Sequence, residues 1–199
     1  MFIYCDLAAL VLVLTFYRQA HAGKIIGGHE AAPHSRPYMA LLTCRADNGS
    51  ETYCGGVLVS EYFVITAAHC KAKSYELSTK AIFDKNVQPI VLADMCDNKL
   101  PKKCVVSGWG ATSDDNKNMS NELREVNVTL THGDFCTEKN EYCSKGEDGP
   151  AEGDSGGPLV CEDGKAFGVI SAKSLTFKLT KYAKIPYYRE WIDEIMKHN

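Results

Sequence analysis

Several features that would settle a function at once are missing from these 199 residues. The longest apolar run, Leu7 to Tyr17, is about half of the roughly 20 residues that a membrane-spanning helix needs, so no membrane span is expected. Neither charge dominates: 22 Lys and Arg stand against 25 Asp and Glu, a net charge of -3. That balance provides no overall basic field for nucleic acid or an anionic membrane, and neither is expected as a partner. No Cys-x-x-Cys pair offers zinc-site spacing, and no metal or cofactor is implied. Internal repeats and low-complexity stretches are also absent, and with 45% hydrophobic and 24% charged residues the chain is neither disordered, collagenous nor a coiled coil.

Cysteine, by contrast, is plentiful at nine residues. Ala8 to Phe16 is almost wholly apolar and is followed by Ala20-His21-Ala22, a small-x-small pattern that signal peptidase accepts. The segment contains Asp6 and no Lys or Arg before the apolar run, a mild departure from the usual signal. Residues 1–22 read as a signal peptide and 23–24 as an activation dipeptide, which leaves a mature domain over 25–199. Removing Cys5 leaves an even number of cysteines in an oxidising compartment, where a disulfide framework is the default. A second cleavage after Lys24 would free the ammonium of Ile25. Such a charge enters an apolar pocket only where a buried carboxylate meets it, and Asp154 is the candidate.

The mature region alternates short strand-like runs with Gly, Pro, Asn and Asp, which predicts an all-β fold. Strands are expected at Tyr38–Leu42, Gly56–Ser60, Phe63–Thr66, Val87–Leu92, Cys104–Ser107, Leu123–Leu130, Pro158–Cys161 and Ala166–Ser171. At the C-terminus Tyr188, Trp191, Ile192, Ile195 and Met196 recur at helical intervals, which predicts one amphipathic helix. Asn48-Gly-Ser, Asn118-Met-Ser and Asn127-Val-Thr are candidate glycosylation sites.

Two strings carry chemistry. In Gly153-Asp-Ser-Gly-Gly-Pro158, glycines on both sides of Ser155 free the backbone to aim N–H groups at one point. Ser155 reads as a nucleophile, with the amides of Gly153 and Ser155 able to hold an oxyanion and Asp154 turned away. In Thr66-Ala-Ala-His-Cys70, small residues clear space around His69, and Cys54 lies sixteen positions before Cys70, a spacing that can close a loop around it. A serine hydroxyl needs a base to remove its proton, so the two strings are complementary.

Ile25-Ile-Gly-Gly, Cys54-Gly-Gly-Val-Leu, Thr66-Ala-Ala-His-Cys70, Cys104-Val-Val-Ser-Gly-Trp-Gly110 and Gly153-Asp-Ser-Gly-Gly-Pro158 together resemble, in order, the trypsin-like serine endopeptidases. Gly23-Lys24 and Ala151 are most similar to the granzyme and mast-cell protease branch. The resemblance implies a double six-stranded β-barrel with a C-terminal α-helix. It implies a secreted or granule-stored endopeptidase that forms an acyl-enzyme on Ser155, with His69 as base and Gly153 and Ser155 as oxyanion hole. It also implies an Ile25–Asp154 pair after activation, disulfides Cys54–Cys70, Cys104–Cys161 and Cys136–Cys143, and protein or peptide substrates and protease inhibitors as partners. Cys44 and Cys96 are left to pair with each other, pair between chains, or stay free.

The family's triad acid has no counterpart. From His69 to Val87-Gln-Pro-Ile90 there are eighteen positions, about forty fewer than the family's triad geometry uses. The shortening falls near 74–78 and truncates the first barrel. Only Glu76 and Asp84 remain as acids at the join. The alternative to an impaired enzyme is a non-catalytic secreted pseudoprotease, or a splice product acting as a binding protein. Gly149 is placed at the floor of the specificity pocket, so trypsin-like cleavage is disfavoured, although Asp148 is only one position away. Ser171, Ala172 and Lys173 form the expected wall, with Thr180 or Lys181 near the base. A lysine there favours acidic side chains or, pointing to solvent, leaves an apolar or aromatic preference.

Overall fold

The computed structural model describes residues 25–45, 49–70, 80–97, 99–111, 118–132, 136 and 138–197. The segments expected as signal peptide (1–22) and activation dipeptide (23–24), Asn48, Glu76 and the expected join near 74–78 lie outside them. Among the described residues eleven strands run in chain order: β1 His29–Glu30, β2 Met39–Arg45, β3 Glu51–Leu58, β4 Val64–Ile65, β5 Cys104–Gly108, β6 Arg124–Val128, β7 Leu130–Thr131, β8 Glu141–Lys145, β9 Pro158–Cys161, β10 Ala166–Ser174 and β11 Leu179–Lys184. The α-helix α1 Ile185–Lys197 follows β11.

The strands form two antiparallel sheets. Eight of them lie in the order β1-β6-β5-β9-β10-β11-β8-β7, and β2-β3-β4 make a separate sheet. The first half of the all-β fold is therefore reduced to three strands among the described residues, one of them only two residues long. Val87–Leu92 forms no strand. Pro89 has no N–H to donate, and the segment is instead tied by single bonds such as Ile90 N–H to the Leu58 carbonyl, 3.0 Å, and Gln88 N–H to the Pro37 carbonyl, 3.1 Å.

Two apolar clusters make up most of the core among the described residues. Tyr182, Leu159 and Val106, all fully buried, centre the larger sheet's core with Ile25. Tyr38, Val57, Ile90, Val169, Ile185 and Ile192 form the second, which joins the small sheet to the large one and to α1. The helix contacts this cluster through Ile185, Tyr188, Ile192 and Met196, one stripe at helical spacing. Trp191 and Ile195, expected on the packed face, fall outside the stripe and are exposed. The disulfides Cys54–Cys70, Cys104–Cys161 and Cys136–Cys143 are formed, and Cys96 is free and exposed. The side chain of Cys44 lies outside the description.

Candidate active site

His69 is carried by a single 3-10 turn, Ala68–Cys70, which follows β4 and is pinned to β3 by the Cys54–Cys70 bond. Ser155 sits in the turn before β9. A short relay of bonds ties the two together. The Thr66 hydroxyl donates to the Gly55 carbonyl at 2.8 Å, and the Gly55 N–H donates to the Ser155 carbonyl at 2.7 Å. Glycine is required at this junction. A Cβ on Gly55 would lie 2.8 Å from the Gly157 nitrogen, and one on Gly156, whose φ is +88°, would collide with the Gly55 carbonyl and Thr66 hydroxyl.

His69 and Ser155 line one cleft of about 620 Å³, together with Tyr53, Asn118, Met119 and Gly153. Among the described residues, the N–H groups of Gly153 and Ser155 have no acceptor within the protein, while that of Asp154 between them donates to the Ala151 carbonyl at 3.1 Å. Two unspent donors thus flank an internally bonded residue beside the serine, which is the arrangement that can receive a developing oxyanion. Gly153 has φ +95°, and a Cβ there would lie 2.6 Å from the Met119 sulfur. In the sequence Met119 is only the middle of a sequon, and nothing short of tertiary contact marks it as a wall of the site.

No hydrogen bond joins His69 to Ser155, and no carboxylate bonds His69 among the described residues. Asp84 is committed to its own turn, where one carboxylate oxygen accepts the N–H groups of Asn86 at 2.7 Å and Val87 at 2.8 Å. This is a surface Asx-type turn with no role at the imidazole.

Asp154 is fully buried and accepts the N–H of Gly110 at 2.7 Å and of Ala151 at 2.8 Å. Burial pushes its pKa up to about 6, against the opposing pull of those two amides and of the Lys173 charge. A raised carboxyl pKa favours the folded state at low pH and costs stability as pH rises through the folded value. Relative to Asp154→Asn, the chain uncleaved at Lys24, in which no Ile25 ammonium faces the carboxyl, is expected to lose about 3 kcal/mol of stability between pH 4 and 7. Urea unfolding of both proteins across that range measures the difference, and parallel pH profiles would refute it. Ile25 is fully buried in the larger core, and the segment it begins is fixed by pairing of Ile26 with Gly149 and by Arg124, which donates to the Gly28 carbonyl at 2.7 Å.

The residues expected around a specificity pocket are gathered at β10 and β11. Thr180 lies opposite Lys173 in the strand pairing, and its Oγ1 is 3.6 Å from where a Cβ on Gly149 would stand. Ser171 and Ala172 precede Lys173 in β10, with Ala172 opposite Lys181. Lys181 is held by Glu141 at 2.8 Å, and the exposed Asp148 packs its carboxylate against Gly27. Of the sequon residues, Asn118 and Asn127 are both exposed, the first on the rim of the cleft.

The family described as Trypsin matches residues 25–81 and 74–192, two stretches that overlap at 74–81. Granzyme E of Mus musculus is 32% identical over 242 aligned positions, covering 94% of this chain and 97% of that protein. Chymase of Cavia porcellus is 30% identical over 249 positions, covering 98% and 100%. Both alignments are longer than the 199 residues of the chain, so both relatives contain stretches with no counterpart here. Among solved structures, that of GrC superposes with a TM-score of 0.77 at 29% identity, covering 87% of this chain and all of that one. Human heparin binding protein gives 0.74 at 25%, covering 88% and 98%.

Proposed function

Because the chain belongs to the trypsin family, we propose that it is a secreted or granule-stored serine endopeptidase whose turnover is slowed by the lack of a carboxylate on His69. Ser155 Oγ attacks the scissile carbonyl while His69 takes its proton. The tetrahedral oxyanion is held by the N–H groups of Gly153 and Ser155, and His69 returns the proton to the leaving amine. Water then releases the acyl group from Ser155 by the same exchange. Cleavage after Lys24 supplies the Ile25 ammonium, and Asp154, buried with a raised pKa, is the carboxylate that gains most from a cation beside it.

The observation that carries this reading is the cleft itself, with a serine, an imidazole and two unspent amide donors on one wall. The impairment rests on the short interval from His69 to Val87-Gln-Pro-Ile90, and the overlap of the two family matches at 74–81 supports it. An imidazole without a carboxylate on its second nitrogen is not held in the tautomer that accepts the serine proton.

A fluorophosphonate probe on the folded chain released after Lys24 is expected to label Ser155 slowly and stoichiometrically, and Ser155→Ala is expected to take no label. The absence of labelling on folded protein would reject the enzyme. It would leave the second reading, a non-catalytic binding protein of the same fold, which the lack of a carboxylate on His69 among the described residues favours.

A further inference from the structure

We propose that Lys173 is a specificity-determining residue that fills the side-chain pocket beside Ser155 as a built-in plug, so that a large substrate side chain enters only where Lys173 is withdrawn or replaced. Directly opposed residues of an antiparallel pair share a face, and Lys173 opposes Thr180, which is buried. The lysine stem therefore leaves β10 toward the inner side, where Thr180 approaches Gly149. Its Nζ is fully enclosed and has no hydrogen-bond partner. An ammonium withdrawn from water in this way is tolerated only in the field of an anion, and Asp154, whose carboxyl the Lys173 charge reaches, supplies one that is shared with the Ile25 ammonium after cleavage. The neighbouring Lys181 does not share the pocket, because Glu141 holds it.

The cleft agrees with an occupied pocket. Its lining runs from Tyr53 through His69 to Met119, Gly153 and Ser155 and does not extend to Gly149, Lys173 or Thr180. The space where a substrate side chain would be read is taken by four methylenes and a charge from the protein's own strand. Selection would then fall on small side chains beside Ser155, with the remaining contacts made along the open cleft.

The proposal rests on the reading of Ser155 as the residue beside which a substrate side chain is received, but its test requires no turnover. Benzylammonium, a cation with an apolar body, is titrated into the full mature chain and into Lys173→Ala, with amide chemical shifts followed at Gly149 and Thr180. Lys173→Ala is expected to bind at least tenfold more tightly than the native chain, with shifts at both residues. Lys173→Met, which restores volume without charge, is expected to remain closed. Equal binding by native and Lys173→Ala protein would overturn the plug. So would saturable binding of phenylacetate to the native chain that Lys173→Ala abolishes, since the ammonium would then be a ligand group. If Lys173→Ala does not fold, reductive methylation of the native chain decides. Lys173 is expected to stay unmodified while the exposed Lys102 and Lys103 react, and methylation at their rate would refute the proposal. Failure of fluorophosphonate labelling with the plug intact would remove the enzyme reading and with it the role in specificity, leaving only the closed pocket, which benzylammonium binding tests separately.

Discussion

Inserting an Asp-bearing segment from a granzyme relative between Lys71 and Asn86 is expected to raise the rate of Ser155 acylation by about 10⁴-fold, the magnitude lost when this carboxylate is removed from an otherwise intact triad. His69 is exposed on a single turn, pinned through Cys70 but with no bond to its ring among the described residues. The disulfide fixes where the imidazole stands. It does not fix which nitrogen carries the proton, and an acid on the far nitrogen does both. The second-order rate of fluorophosphonate labelling, compared between the native and restored chains, measures the effect. An increase of less than tenfold in a folded protein would show that the carboxylate is not the missing part. Placing the acid in the same insertion as Asn provides the control: it rebuilds the strands without the charge, and acceleration should then be absent.

Gly156→Ala is expected to destabilise the fold by more than 4 kcal/mol or to expel the His69 turn from the cleft, because its Cβ meets backbone and has no room to rotate away. The site must adopt φ +88° and simultaneously accept the Gly55 carbonyl and the Ala67 nitrogen, the latter at 3.0 Å from the added carbon. Gly164 separates the two contributions. Its φ of +72° is equally left-handed, yet nothing lies within 4 Å of the added carbon, so Gly164→Ala should cost only about 1 kcal/mol of backbone strain. Urea unfolding of both variants reads the contrast, and similar losses would mean that steric contact at Gly156 is relieved by movement. Labelling of Ser155 should vanish in Gly156→Ala and persist in Gly164→Ala.

The sequence was most legible where chemistry constrains the backbone. Gly156 and Gly157 on one side, and Gly55 on the other, were recognisable as motif residues, and contact between their backbones explains why no side chain is admitted. Strands with buried apolar runs were equally plain: Pro158–Cys161 is buried throughout. Strands that the sequence pattern does not announce, such as Glu141–Lys145 and Leu179–Lys184, carry charge along their length and are stabilised partly by a cross-strand Lys181–Glu141 pair. That is a tertiary relation with no signature in periodicity. The same limit applies to α1, where Trp191 extends the apolar pattern but lies beyond the stripe that the second cluster covers. In the pocket, the family resemblance puts Lys173 on a wall but does not choose its direction. Opposition to Thr180 does that.

The contact of Gly55 with Gly157 joins residues about a hundred positions apart in the chain, and it lies beneath the nucleophile. Closing so long a loop spends chain entropy before any contact rewards it, so this junction belongs to the slow, late part of folding. The large sheet is built mainly from neighbours in sequence, such as β10 with β11, and can order before the small sheet docks. The nucleophile loop would thus acquire its geometry only at the last step. Translation delivers the three-stranded half first, and it must wait, with its apolar face uncovered, for the C-terminal residues that complete the cleft.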